Sequence, residues 1–220
     1  MKGKLLVIAQ AVLLALVILS GAIALPVLFR PFFYLHIEPM GLAQQTGLTL
    51  EQIKEAYNRM MDYCIGLTDT FSVGVLPFSA SGAAHFADVR KLFILDLGVL
   101  AVSAILLIAI TVLRRKQKTA LLGHTPGFWA AIGLGTAFLS VGGLAALDFN
   151  RAFTVFHKVF FPGKDNWLFD SRLDPVIQIL PAEFFRNCAI LILVAVLISC
   201  AGLLLWDRRI RKKNKSSRLL

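Results

Sequence analysis

Four stretches, residues 5–29, 93–113, 126–147 and 188–206, contain neither Lys nor Arg and consist largely of aliphatic and aromatic residues. Each is long enough to cross a hydrocarbon layer about 30 Å thick, which takes roughly 20 residues of helix. Lipid offers backbone amides no hydrogen-bond partner, so an isolated spanning segment must satisfy its own backbone and be helical. The expected fold class is an all-α membrane protein with four transmembrane helices. Only 16% of residues are charged, well below the roughly 25% of soluble domains, and the apolar excess sits in these four runs.

The first run imitates a secretory signal, since Lys2 and Lys4 precede it and Ala22-Ile23-Ala24 looks like a cleavage site. Its length exceeds the usual signal core of about 7–15 residues. It also runs into an aromatic belt of Phe29, Phe32, Phe33 and Tyr34, suited to a membrane interface. It is therefore read as a retained anchor.

Orientation follows from Lys and Arg in the loops. The N-terminus, the loop 114–125 and the tail 207–220 hold 13 basic residues and one acid, Asp207. Segments 30–92 and 148–187 hold 10 basic residues and 11 acids. Both termini are thus expected in the cytoplasm, with 30–92 and 148–187 forming an extracellular cap. The basic tail suits anionic lipid. It lacks the aromatic interleaving of a nucleic-acid module, and no nucleic-acid partner is expected.

Within the first outer segment, residues 41–47 read as a loop, and Thr49 with Gln52 forms a capping-box pattern. Leu50, Ile53, Tyr57, Met60, Met61 and Cys64 then recur at helical spacing, predicting an amphipathic helix. After Gly66 small residues predominate, which reads as a mobile loop up to the His85 region. The second outer segment places Phe149, Phe153, Phe156 and Phe160 on one helical stripe beside His157, and Pro162-Gly163 ends that helix. The absence of any CxxC argues against a thiol oxidoreductase. A Cys64–Cys188 disulfide is left open.

Of four histidines, His36 and His124 read as structural or solvated. His85 and His157 each lie beside an end of a membrane run on the same expected side. A helix through His85 would also align Asp88 and Asp96, with Asp88 as a partner that orients a histidine. Asp96 is either an interfacial ion-pair partner or functional. No HxxxH or HExxH pair pre-arranges ligands, so neither a metal nor a cofactor is expected. Arg151 and His157 have the spacing of a membrane phosphatase motif, but Phe161 stands where that motif needs Asp.

The segments 85–90 (His-Phe-Ala-Asp-Val-Arg), 153–161 (Phe-Thr-Val-Phe-His-Lys-Val-Phe-Phe) and 167–170 (Trp-Leu-Phe-Asp) together resemble the lipoprotein intramolecular transacylase (Lit) family of Gram-positive bacterial membrane proteins. The resemblance covers the whole chain. It implies an acyltransferase in the bacterial plasma membrane, acting on diacylglyceryl-modified lipoproteins among membrane lipids. The sn-2 acyl chain would move to the α-amino group of the lipoprotein's own N-terminal cysteine, leaving a lyso-form. Two catalytic histidines are implied, falling on His85 and His157. Asp88, Arg90, Phe153, Phe156, Phe160, Trp167 and Asp170 are then expected to bind substrate or support the pair. His157 is read as base and His85 as acid or oxyanion donor, with the reverse assignment left open. The competing classes are a non-enzymatic scaffold and an outer-leaflet hydrolase or phosphatase.

The charge asymmetry gives the first test. An impermeant thiol reagent applied to intact cells is expected to label cysteines introduced at Ser81 and Lys164 but not at Gln117. Labelling at Gln117 would invert the topology.

Overall fold

The computed structural model describes residues 2–113 and 120–216. Arg114, Arg115, Lys116, Gln117, Lys118 and Arg218, on which part of the orientation argument rests, lie outside the described residues. Among those described, the helices are α1 (Lys2–Leu28), α2 (Pro31–Ile37), α3 (Leu42–Thr46), α4 (Leu50–Cys64), α5 (Ala80–Leu113), α6 (Pro126–Leu147), α7 (Phe149–Phe160), α8 (Val176–Ile179) and α9 (Ala182–Ser216). No strand occurs among these residues. Four of the helices, α1, α5, α6 and α9, are long and apolar enough to cross a membrane.

Two of these helices outrun their apolar stretches. α5 begins at Ala80 and α9 at Ala182, well before residues 93 and 188. Hydropathy marks where a helix can be in lipid, whereas the helix itself ends where its caps lie. Ser79 caps α5: its hydroxyl accepts the Gly82 N–H at 2.9 Å and its carbonyl accepts the Ala83 N–H at 3.0 Å. His85 consequently sits within this helix, on which the alignment with Asp88 depends.

The chain divides into two compact units. The first comprises residues 1–23, 97–144 and 191–220. Its core is built from small side chains, with Ala22, Ala131, Val196 and Cys200 buried together. Small residues let helix backbones approach closely, which is how packing is gained where no hydrophobic force acts between helices. Buried Asp207 accepts the Thr125 N–H at 2.8 Å and Nδ1–H of His124 at 2.9 Å. His124 also stacks on Phe128, with ring centres 3.7 Å apart. Its role is to fasten the start of α6 to α9.

The second unit, residues 24–96 and 145–190, is organised around α4. Thr49 and Gln52 close the capping box, with bonds of 3.2 and 2.9 Å. Ile53, Ala56, Tyr57, Met60, Met61 and Cys64 face a core shared with Phe33, Ile37, Leu42, Val73, Ile179 and Phe184. Tyr57 stacks on Phe33 at 3.8 Å. His36 donates from Nδ1 to the Phe32 carbonyl at 2.6 Å and packs on Phe184.

Several expectations need correction. Residues 42–46 form helix α3 between two left-handed glycines, Gly41 and Gly47. Leu50 leaves the buried stripe and is 42% exposed, because it occupies the first helical turn before the packed face begins. The stretch after Gly66 is anchored rather than loose: Val73 is fully buried, and Arg90 grips the Thr68 carbonyl and Asp69, both at 2.7 Å. Gly74 has φ +65° and lies so close to α4 that an added Cβ would stand 3.3 Å from the Ala56 nitrogen. The cysteines are free, and Cys64 and Cys188 pack as apolar side chains in the same core.

Ile53→Ala is expected to destabilise the protein by about 2–5 kcal/mol, whereas Leu50→Ala removes little burial and stays near wild type. Thermal inactivation in detergent separates the two.

Candidate active site

His85 and His157 meet inside the second unit. Three elements create the site: α5 supplies His85, α7 supplies His157, and the segment 161–174 wraps over both. His85 is 5% and His157 7% exposed. Their ring centres lie 5.9 Å apart and the planes are within 29° of parallel. The sequence puts them 72 positions apart; Asp148 brings the second into register by capping α7 through the Arg151 N–H at 2.9 Å.

The His157 tautomer is set by its own helix. Nδ1 lies 2.8 Å from the Phe153 carbonyl oxygen, which can only accept, so Nδ1 carries the hydrogen. In the neutral ring Nε2 is therefore the free base. Burial pushes the His157 pKa below its ordinary value, and the Phe153 carbonyl only partly offsets this. At neutral pH the ring is uncharged and able to accept a proton. On His85, Nδ1 is buried, with the Asn166 side chain beside it. Two imidazoles this close disfavour a doubly cationic pair.

Aromatic rings enclose the pair. Trp167 stacks on His157 at 4.7 Å and Phe153 lies at 4.3 Å. Phe161 packs against both histidines, at 4.9 Å from His85 and 5.7 Å from His157. Phe169 meets His85 edge-on at 5.4 Å. These contacts reassign the expected walls. Phe156 touches His157 only by an edge at 5.4 Å and is about half exposed. Phe160, 50% exposed, pairs with Phe156 and points away. Helical spacing alone could not tell which side of the phenylalanine stripe faces inward; that is fixed by the turn after α7, which brings Phe161 back.

The charged candidates also move. Asp88 makes its hydrogen bonds to Lys164 at 2.5 Å, Lys91 at 3.1 Å and the Asn166 amide at 3.4 Å, not to a histidine. The Phe153 carbonyl orients His157, while Asp88 lies beside His85 with the Asn166 amide bonded to it. Arg90 is turned toward Asp69 and the face of Tyr63, away from the pair. Asp170 lies at the surface, bonded to Arg172 at 2.8 Å. Sequence reading missed Lys164 and Asn166, which bind Asp88, and buried Asp174, which binds the Ser79 N–H and hydroxyl, both at 2.7 Å. The usable signal was Ser79 three residues before Gly82, a helix start that the run of small residues disguised. Among the described residues, no three His, Cys, Asp or Glu side chains converge as metal ligands.

A family model for the lipoprotein intramolecular transacylase Lit matches residues 8–185. The membrane integral Lit of Bacillus cereus superposes with a TM-score of 0.88 at 23% identity, covering 98% of each chain. A variant of that protein with one histidine changed to alanine gives 0.83 at the same identity, over 98% of this chain and 96% of that one. A comparison with curated proteins gave no match. At 23% identity the structural likeness speaks for the fold.

Proposed function

Because the chain belongs to the lipoprotein intramolecular transacylase family, we propose that its buried His85–His157 pair moves the sn-2 acyl chain of a diacylglyceryl-cysteine lipoprotein onto the α-amino group of that same cysteine. The observation that carries the reading is the pair itself: two imidazoles 5.9 Å apart in an aromatic box, one with its free base defined.

The reaction is aminolysis of an ester. An α-amino group titrates near 7.7–8.0, so near neutral pH most of it is a non-nucleophilic ammonium. The nucleophile is the neutral fraction of this amine, and Nε2 of His157 takes one proton from its nitrogen as the nitrogen bonds to the ester carbon. The tetrahedral intermediate then collapses, the bond from carbon to the sn-2 oxygen breaks, and that oxygen takes up a proton. His85 is the donor, first toward the oxyanion and then toward the leaving oxygen. His157 then passes its proton back to His85, so the proton taken from the neutral amine and the proton given to the sn-2 oxygen balance within a turnover. Nucleophile and ester belong to one molecule, and holding them in contact geometry can contribute roughly 7–11 kcal/mol. Trp167, Phe153, Phe161 and Phe169 exclude the water that would otherwise compete for the acyl group.

In this reading the second unit faces the outer side of the bacterial plasma membrane, where the lipoprotein is anchored, and both termini are cytoplasmic. The product test follows from connectivity. In a host making diacylglyceryl lipoproteins with a free amine, the N-terminal peptide is expected to keep its mass while one acyl chain passes from ester to amide and Edman degradation becomes blocked. Loss or gain of one acyl mass would point instead to a hydrolase or a two-substrate acyltransferase.

His85→Ala and His157→Ala are each expected to lower amide formation at least about 100-fold, in line with general acid–base contributions. His124→Ala is expected to retain the activity and lose stability. Full transfer by either of the first two variants removes that residue from the mechanism.

The sign of the pH dependence follows from the depressed His157 value. A base must be unprotonated, so activity is lost as pH falls through its pKa. Once the ionisation of the substrate amine is divided out, the remaining acid limb is expected below the ordinary histidine value of about 6.5. A kcat/KM profile with that limb above 7 would exclude His157 as the base.

A further inference from the structure

Gly82, His85 and Asp88 are spaced three apart on α5 and so lie along one side of it. The segment 161–174 runs along this side and is fastened at both ends of the triplet. At one end Lys164 and Asn166 bind Asp88. At the other, the Asp174 carboxylate takes the N–H and hydroxyl of Ser79, whose oxygen in turn accepts the Gly82 N–H. Between the two fastenings the same segment lays Phe161, Trp167 and Phe169 over the histidines.

The Asp174 fastening is unusually tight. The residue is 3% exposed, and a Cβ built on Gly82 would stand 2.2 Å from its Oδ1. No side chain fits there unless the carboxylate withdraws. A buried carboxylate has a cost unless it is fully bonded; here it meets two donors at 2.7 Å at the N-terminal end of a helix, where negative charge is favoured. The bond joins the segment carrying Phe169 to the turn of α5 that immediately precedes His85.

We propose that Asp174 is a positioning residue that, with Ser79 and Gly82, holds the segment 161–174 shut over the His85–His157 pair and thereby directs the acyl group to the amine rather than to water. It touches no reacting atom. The proposal rests on the transacylase reading, and its distinctive consequence is a change in product partition. With the seal loosened, water reaches the ester carbon in place of the amine: the new bond is carbon to water oxygen, the bond from carbon to the sn-2 oxygen breaks as before, and a free fatty acid leaves.

The experiment uses the full-length protein in proteoliposomes with a diacylglyceryl lipopeptide bearing a free amine, counting amide product and released fatty acid per folded enzyme. Asp174→Asn and, independently, Gly82→Ala are expected to lower kcat for the amide by about tenfold, in keeping with displaced positioning, with little change in KM. Both should raise the share of free fatty acid. Ser79→Thr, which keeps the hydroxyl, should behave as wild type. Carbethoxylation of the histidines, read without substrate, should be faster in the two disruptive variants. An unchanged ratio of amide to fatty acid, together with unchanged histidine reactivity, overturns the proposal even if yield or melting temperature falls. Wild-type protein that forms no amide at all would instead defeat the transacylase reading itself.

Discussion

A backbone crossing hydrocarbon finds no water to bond its amides, and this constraint propagates well beyond the membrane here. It makes α5 and α9 helical across lipid, and a helix once formed extends cheaply until something caps it. α5 therefore reaches back from residue 93 to the Ser79 cap. That extension makes His85 and Asp88 fixed points on a rigid rod. The catalytic reading depends on this, because imidazoles must be held to within fractions of an ångström to exchange protons with a common centre.

α4 plays the complementary part. Its buried stripe gathers α2, α3, α8 and Phe184 into a core that adjoins the histidine box through Phe169. Phe86 belongs to that core and also contacts Phe169. His85 and Phe86, adjacent in sequence, thus face the site and the scaffold respectively, so packing beneath α5 fixes the histidine's height and rotation.

How much of this could be read from the chain depended on whether the determinant was local. The four apolar runs, the Thr49 capping box and the end of α7 before Pro162-Gly163 are local: a helix lies on each run, α4 starts after Thr49 and α7 stops at Phe160. The His85–His157 pairing was legible through the motif resemblance and a shared expected depth. What escaped was long-range and angular. Nothing near residue 174 tells that its carboxylate will bind Ser79, the cap of a helix, 95 positions earlier. The periodic phenylalanines suggested a wall, yet a period fixes spacing without fixing which edge of the stripe turns inward. Asp88 looked like an orienting partner because it shares a helix face with His85, and it was claimed instead by Lys164 from another segment.

The bond from His157 Nδ1 to a main-chain carbonyl has an evolutionary and chemical corollary. Histidine bases are often oriented by a carboxylate, which also steadies the imidazolium that forms. A neutral carbonyl orients but offers little refuge to positive charge. In the proposed mechanism the proton taken from the amine therefore has no comfortable resting place on this ring and is passed on, by way of His85, to the departing oxygen. Such an arrangement suits a rearrangement that begins and ends with the same atoms, since the catalyst needs only to pass charge around a closed circuit. Because the orienting group is backbone, the tautomer is held by the same helix that carries the ring and needs no second side chain to hold it.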